Sequence, residues 1–412
     1  MHRRKRTRRN RSTHELPQHI IHNEILTRLP AKYIARFSLV CKSWKTLFST
    51  PEFINSHRLH SHSHKDEGDF LIAKKDPLGP GIFILSHSSE NQVPAVSAAY
   101  NLLLGSIHGL VCMASLTGKV FCLWNPALGK FMEICLPSEH SENCDAQLLG
   151  GFSWDHVENG YKLVVVGYNH STASSTRFSV YSFKYESWTG LPVNPDHSML
   201  FVPSSFMTPP ITIVKGLPYW GCITYFLLPG MRRRRKFIFG YKFVAASNEF
   251  TMLPYLDSVR IRGKDFKFVN IKDCLVGLAY RDNMADIYSL DNESFDDGVW
   301  NKMYTIGQIN NSLEARWPYN CFENGGDNLV ACPIGPVYIC DPKTKKTEVL
   351  RCEHKSKHSV PRKCVTYIPA LILRLCFNYM PTLVCVQGMK TMQEFSVEES
   401  KKLTLESDRS CC

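Results

Sequence analysis

The residue types that could do chemistry are gathered in few places. His57, His60, His62 and His64 form the densest histidine cluster. In an extended chain His60, His62 and His64 would share one face and could offer imidazoles to zinc or nickel. The serines between them, with Lys65 and Asp66, read instead as a solvated linker. No cysteine or carboxylate completes a tetrahedral set there. Cys352, His354 and His358 make a second, thinner grouping. Ser106 and His108, in Gly105-Ser106-Ile107-His108-Gly109, superficially pair a nucleophile with a base. Their spacing is not that of a nucleophile elbow, and a turn between strands explains the glycines. The sequence has no GxGxxG, P-loop, HExxH or GxSxG motif. The expectation is a non-catalytic chain that needs no cofactor or metal.

Two further groups carry charge or large rings. Arg232, Arg233, Arg234, Arg235 and Lys236 form a basic run between apolar stretches. It reads as a solvated loop tip, with a surface for an acidic target or nucleic acid, or a nuclear-import signal, as alternatives. Trp124, Trp188, Trp220 and Trp300 lie near strand ends and read as packing residues, not as a ligand cage.

The elements that must position these groups are of two kinds. From 16 to 57 the apolar spacing is helical. Ile21, Ile25, Leu26 and Leu29 fall at i, i+4, i+5 and i+8. Phe37, Val40, Cys41, Trp44, Leu47 and Phe48 continue a second period. Each set predicts one helix face, with Pro30 separating the two helices. So short a unit cannot bury much core alone and needs a partner.

Beyond residue 68 the pattern becomes short strands and turns. Phe237, Phe239, Tyr241 and Phe243 alternate along one strand, and 120–124 is apolar on both faces. Asn125-Pro126, Asn159-Gly160 and Asp341-Pro342 mark turns. Units beginning near 109, 161, 216, 274 and 328 repeat at roughly 45–55 residues, the spacing of four-stranded propeller blades. The incomplete runs 70–85 and 365–386 are expected to close the ring together, giving about six blades. The glycine pairs Gly150-Gly151 and Gly325-Gly326 are too few to define a kelch consensus.

Composition bounds the class. The chain has 412 residues and a net charge of +12, of which seven positive residues lie within 1–11 and leave the remainder at +5. That N-terminal segment lacks the apolar stretch of a secretory signal. It reads as a solvated tail, with nuclear import and nucleic-acid contact as alternatives. The 16 cysteines are scattered, without a CxxC pair, and read as free thiols in a reducing compartment. No apolar run reaches the roughly 18 residues needed to span a bilayer.

The order of residues in 16–57 resembles an F-box. The resemblance rests on Leu16-Pro17, then Glu24-Ile25-Leu26-x-Arg28-Leu29-Pro30, then Arg36-Phe37-x-x-Val40-Cys41-Lys42-Ser43-Trp44, then Pro51-x-Phe53 and His57. It is closest to the F-box of the large plant family with an F-box-associated region. "GSIHGLVC", "LWNPALGKF", "YKLVVVG", "VYSFKYESW", "GLPYWGC" and "YIPAL" echo that region's signatures in order. Family members often carry Asn-Gly where this chain has His108-Gly109.

The resemblance implies an α+β multidomain chain: a small helical F-box, then a large all-β domain. The expected divisions are a basic tail at 1–15, the F-box at 16–57, a linker at 58–67, the β domain at 68–387 and a polar tail at 388–412. It implies a substrate receptor of an SCF-type cullin–RING ubiquitin ligase. Leu16, Pro17, Ile21, Ile25, Leu26, Leu29, Pro30, Ile34, Val40, Cys41 and Trp44 would bind a Skp-family adaptor, and through it a cullin and a RING protein. The β domain would hold a target protein. Its long loops 191–210, 232–236 and 291–299 would choose that target, with Arg232, Arg233, Arg234 and Arg235 as the candidate contacts. Membranes are not expected partners, and the expected location is cytoplasmic, nuclear or both. The alternative is a propeller scaffold that binds nucleic acid or proteins outside a ligase.

Overall fold

A computed structural model describes residues 16–63, 69–76, 79–86, 89–92, 100–115, 119–137, 148–169, 174–191, 212–226, 235–257, 265–271, 273–281, 284–294, 298–306, 321–323, 329–331, 337–340, 347–350 and 376–391. The basic tail, Arg232 to Arg234, Gly325-Gly326, the Cys352, His354 and His358 grouping and residues 392–412 lie outside these.

Helices come first. A turn of α-helix, α1 (Gln18–Ile20), passes into a π turn (Ile21–Ile25) and a 3-10 turn (Leu26–Arg28). Then come α2 (Ala31–Phe37), α3 (Lys42–Phe48) and α4 (Pro51–Ser63). Pro30 holds the N-cap of α2, where its missing N–H costs no helical bond. Its carbonyl accepts from Tyr33 at 2.8 Å and Ile34 at 3.3 Å.

Three expectations are corrected here. The wide and then tight turns around Ile25 break the single face read for the first set. Leu26 is buried while its neighbour Ile25 is exposed. The second set is not one helix either. Ser38 Oγ donates to the Ala35 carbonyl at 2.6 Å, and Leu39 and Val40 make three-residue bonds back to Arg36 and Phe37. Cys41 is then fully extended (φ −154°, ψ 160°) and starts α3 afresh. Finally, α4 runs through Ser63, into the stretch read as linker.

Among the described residues six antiparallel sheets follow. The first has β1 (Asp69–Asp76), β2 (Gly79–Ser86) and β3 (Ser89–Gln92). The second has β4 (Tyr100–Ile107), β5 (Leu110–Ser115), β6 (Val120–Asn125) and β7 (Lys130–Cys135). The third has β8 (Leu148–Asp155), β9 (Gly160–Asn169), β10 (Ser174–Ser182) and β11 (Ser187–Leu191). The fourth has β12 (Thr212–Val214), β13 (Leu217–Phe226), β14 (Arg235–Val244), β15 (Glu249–Met252) and β16 (Leu256–Asp257). The fifth has β17 (Asp265–Ile271), β18 (Cys274–Arg281), β19 (Met284–Leu290) and β20 (Trp300–Ile306). The sixth has β21 (Cys321–Glu323), β22 (Leu329–Ala331), β23 (Val337–Cys340) and β24 (Thr347–Leu350).

Two late strands return to the start. β25 (Cys376–Tyr379) pairs with β1, Phe70 opposite Asn378. β26 (Lys390–Thr391) pairs with the outer edge of β7. The first sheet therefore takes strands from both ends of the β region. Contacts run from β25 to β4, β4 to β8, β8 to β13, β12 to β17, β17 to β21 and β21 back to β25. This closed sequence removes the open edge that a linear stack of sheets would leave.

The largest core lies between the second, third and fourth sheets. Leu104, Leu123, Phe152, Leu163, Trp220 and Phe243 belong to it. Gly151 is required there: a Cβ would lie 2.5 Å from the Trp220 ring. Cys112 belongs to this core, and Cys122 is buried in the adjacent strand; both are free thiols. Burial pushes the Cys112 thiol well above its ordinary value, which keeps it an inert small apolar group.

Antiparallel order gives the ring two distinct faces. Turns between the first and second strands of a sheet, and between the third and fourth, open on one face. The other connections open on the opposite face. The His108-Gly109 turn, the 126–129 turn and the Gly216 turn share the first face, as the contacts below show.

Candidate functional site

The helical unit has a covered side and an open side. Leu26, Ala31, Ile34, Phe48 and Phe53 are buried in one cluster. Phe37, Trp44, Phe48 and Phe53 form a run of ring contacts with centroids 5.8, 6.0 and 5.1 Å apart. His57 closes the unit, its Nε2 lying 2.8 Å from the Leu29 carbonyl.

The open side carries large apolar groups. Leu16 is 55% exposed, Ile25 42%, Tyr33 49%, Leu39 86% and Val40 66%. Leu39 and Val40 sit on the turn between α2 and α3, which has no helical phase to hide them. Scattered single apolar residues are ordinary, but five exposed large ones between residues 16 and 40 are many for so short a stretch.

The residues expected to meet an adaptor therefore divide. Leu16, Pro17, Ile25, Pro30, Val40 and Cys41 are exposed. Ile21, Leu29 and Trp44 are half-buried against the cluster. Leu26 and Ile34 are corrected: at 2% and 0% exposure they are core residues and present nothing to a partner directly. The Ser43 hydroxyl, then the amides of Trp44 and Ser43, draw the exposed Cys41 thiol below its ordinary value. Leu39 and Tyr33 were not singled out from the sequence. Leu39 lies in an apolar run that fits neither helical set, which was the available signal.

The covered side rests on the ring. Ala127 and Leu128, from the turn between β6 and β7, pack against the helical cluster, and Leu383 is buried within it. Leu383 belongs to the irregular stretch 380–389 that follows β25. Asn125, wholly buried, donates from Nδ2 to the carbonyls of Thr382 at 3.0 Å and Val384 at 2.7 Å. Its Oδ1 accepts from the Leu128 amide at 3.1 Å. Thr382 Oγ1 donates to the His108 carbonyl at 2.5 Å. An asparagine ending an otherwise apolar strand was the sequence signal for this junction.

The sequence-level chemistry resolves into structure. His108 and Gly109 both have positive φ (51° and 77°), the backbone of a tight hairpin turn that Asn-Gly suits best. His108 Nδ1 meets Tyr161 Oη at 3.0 Å, and its ring stands edge-on to Trp154 at 4.9 Å. Its hydroxyl partner is thus Tyr161, not Ser106. Gly216 packs against Trp154, which places the β12–β13 turn on this same face.

α4 runs through positions 60 and 62, so the backbone there is helical and not the extended arrangement that would align alternate residues on one face; His64 lies outside the described residues. Among the described residues no group of three or more His, Cys, Asp or Glu could hold a metal ion. Among them, too, no helix is long and apolar enough to cross a membrane. Trp124, Trp220 and Trp300 are buried. Trp300 stacks on Phe268 at 5.6 Å and donates to the Pro254 carbonyl at 3.0 Å.

The loop candidates fall on different faces. β13 starts at the Gly216 turn, so its end at Phe226, opposite Arg235, lies on the face remote from the helices. Arg232, Arg233, Arg234 and the segment 192–211 lie outside the described residues. The loop before β20 opens instead on the helical face. There Glu293 accepts from Tyr219 Oη at 3.1 Å and pairs with Lys242 at 2.7 Å.

Comparison with known proteins agrees with these two units. The family profile of the F-box domain matches residues 14–56, and that of the F-box associated beta propeller domain matches 105–386. The F-box protein At3g07870 of Arabidopsis thaliana is 25% identical over 345 residues, covering 77% of this chain and 80% of that protein. The F-box/kelch-repeat protein At3g23880 of the same plant is 27% identical over 203 residues, covering 44% of this chain. The chain spans about half the length of that protein (53%) and of F-box protein At1g48060 (50%). Among solved structures, the Dos1 propeller aligns over 69% of each chain at 9% identity with a TM-score of 0.35, too slight a likeness to carry weight. The helices read first as an F-box and the ring of sheets read as a propeller are thus matched in order, and the chain belongs to the F-box proteins with an F-box associated β-propeller domain.

Proposed function

We propose that this chain is the substrate receptor of an SCF-type cullin–RING ubiquitin ligase. The observation that carries the reading is the two-sided helical unit. One side is fixed to the ring of sheets, and the other leaves Leu16, Ile25, Tyr33, Leu39 and Val40 in solvent. Burying each such side chain against a partner is worth about 1.5–3 kcal/mol. A Skp-family adaptor would cover them and bring a cullin and a RING protein. The propeller would hold a target protein, with its remote face free for recognition. The receptor would catalyse nothing itself. It raises the local concentration of a target lysine near a ubiquitin-charged enzyme. Such a receptor would work in the cytoplasm, the nucleus or both.

The test is co-purification of a Skp-family adaptor with the full chain carrying Ile25→Asp and Val40→Asp. Both positions are exposed, so the fold is retained while a charge is forced into the docking surface. Adaptor and cullin should be lost from the eluate. Undiminished recovery would sink the reading.

A further inference from the structure

We infer that residues 380–389 complete the core of the F-box, so that its helices reach adaptor-ready packing only in a chain whose ring of sheets has closed. The adaptor clause rests on the function proposed above. The packing clause does not.

The stretch begins where the ring ends. β25 is the strand that joins the last sheet to the first, and Met380 follows it directly. The chain then crosses the helical face of the second sheet toward β26 on that sheet's outer edge. Asn125 grips the two carbonyls that flank Leu383. Thr382, 0% exposed, is fastened to the His108 carbonyl. Neighbouring side chains then serve two cores. Val384, Val386 and Met389 pack on the β core, while Leu383 enters the cluster of Leu26, Ala31, Ile34, Phe48 and Phe53. The approach is close enough to demand glycine at 109. A Cβ there would lie 2.5 Å from both the Met380 carbonyl oxygen and Thr382 Oγ1.

A helical unit this small is short of core, so a buried leucine supplied from outside is a large share of its packing. That leucine arrives from almost the end of the sequence. A chain cut short before it, or one whose ring has not closed, would keep the F-box residues but lack the side chain that consolidates them. Such a receptor would recruit the ligase poorly until its own target-binding domain is complete.

The experiment uses the full chain and follows hydrogen exchange in α2 and α4 by mass spectrometry, with adaptor affinity measured in parallel. Leu383→Ala should speed exchange in both helices on the order of tenfold or more. β17 to β20, on another part of the ring, should exchange as before. Leu383→Met, which keeps the volume, should stay near the parent chain. Asn125→Ala should act at least as strongly as Leu383→Ala, because it frees the stretch and also releases the Leu128 amide in the turn that packs on the helices. Adaptor affinity should fall in step with lost protection. Equal helix protection in Leu383→Ala, Asn125→Ala and the parent would overturn the inference. If Leu383→Ala gives no soluble chain, Leu383→Val makes the same comparison with a smaller deletion. If the parent binds no Skp-family adaptor yet helix exchange still responds, the ligase reading fails and the packing inference stands.

Discussion

His57 Nε2 lies 2.8 Å from the carbonyl oxygen of Leu29, and this contact ties α4 to the end of the first helical stretch. The carbonyl can only accept, so the ring donates from Nε2. The imidazole is 0% exposed, and its burial depresses its pKa below 6.5, against a smaller opposing effect of the Leu29 carbonyl. The folded state therefore favours the neutral ring. Stability linked to His57 is complete above the ordinary imidazole pKa and declines as pH falls below it toward the depressed folded value. Protection factors of the helices in the full chain, taken relative to the intrinsic exchange rate at each pH, should fall as pH drops below about 6.5. His57→Gln, which keeps a donor but does not titrate, should flatten that dependence. An unchanged slope in the variant would assign the effect to another group.

Lys162 and Asp155 make a second buried tie, an ion pair within the third sheet from which the lysine also reaches the fourth. Their side chains are 4% and 0% exposed and meet at 2.9 Å. Lys162 Nζ also donates to the Ala245 carbonyl at 2.8 Å and to Asn248 at 3.1 Å, across in the fourth sheet. Asp155 accepts from the amides of Val157 and Glu158. Removing one partner leaves a buried charge uncompensated, so Lys162→Met should cost about 3–5 kcal/mol in chemical denaturation. Lys162→Met combined with Asp155→Asn should cost less than the two single changes added together. Strict additivity would mean the two groups act independently.

Ile34 and Val40 belong to one expected adaptor set, yet Ile34 is wholly buried and Val40 is exposed. Ile34→Ala should open a cavity in the helical core and lower helix stability by about 2–5 kcal/mol. Val40→Ser, at an exposed turn, should change stability by no more than about 0.5 kcal/mol while weakening adaptor capture. Hydrogen exchange of α2 separates the two. Equal destabilisation by both would place Val40 in the core.

Much of this architecture was legible because period and spacing are local signals. The proline boundary at Pro30, the switch to strands after 68 and the recurrence of turn-bounded units follow directly from neighbouring residues. Inward or outward direction was harder. Ile25 and Leu26 sit side by side in the sequence, and only the π turn before them decides which is buried. The junction was harder still. Leu383 lies far from the helices along the chain, and no periodic pattern announces a single leucine in an irregular stretch. Asn125 was visible only as part of a turn, not as the group that grips that stretch.

The Arg232, Arg233, Arg234 and Arg235 run supplies the sharpest test of target choice. Arg235, the described end of the run, pairs with Phe226 at the end of β13 on the face remote from the helices, where a target would not compete with the adaptor. Four adjacent guanidinium groups suit an acidic protein surface and would steer its approach. Changing all four to Ser should therefore weaken target capture and reduce its sensitivity to salt, because screened long-range attraction is what is removed. Adaptor binding should stay constant, since the two faces are separate. The measurement is target recovery by the full chain at about 0.05 and 0.5 M salt, with adaptor recovery in the same eluates. Target capture that matches the parent at both salts would leave the run as a solvated loop tip and shift attention to the other long connection, 192–211, whose only acidic residue is Asp196.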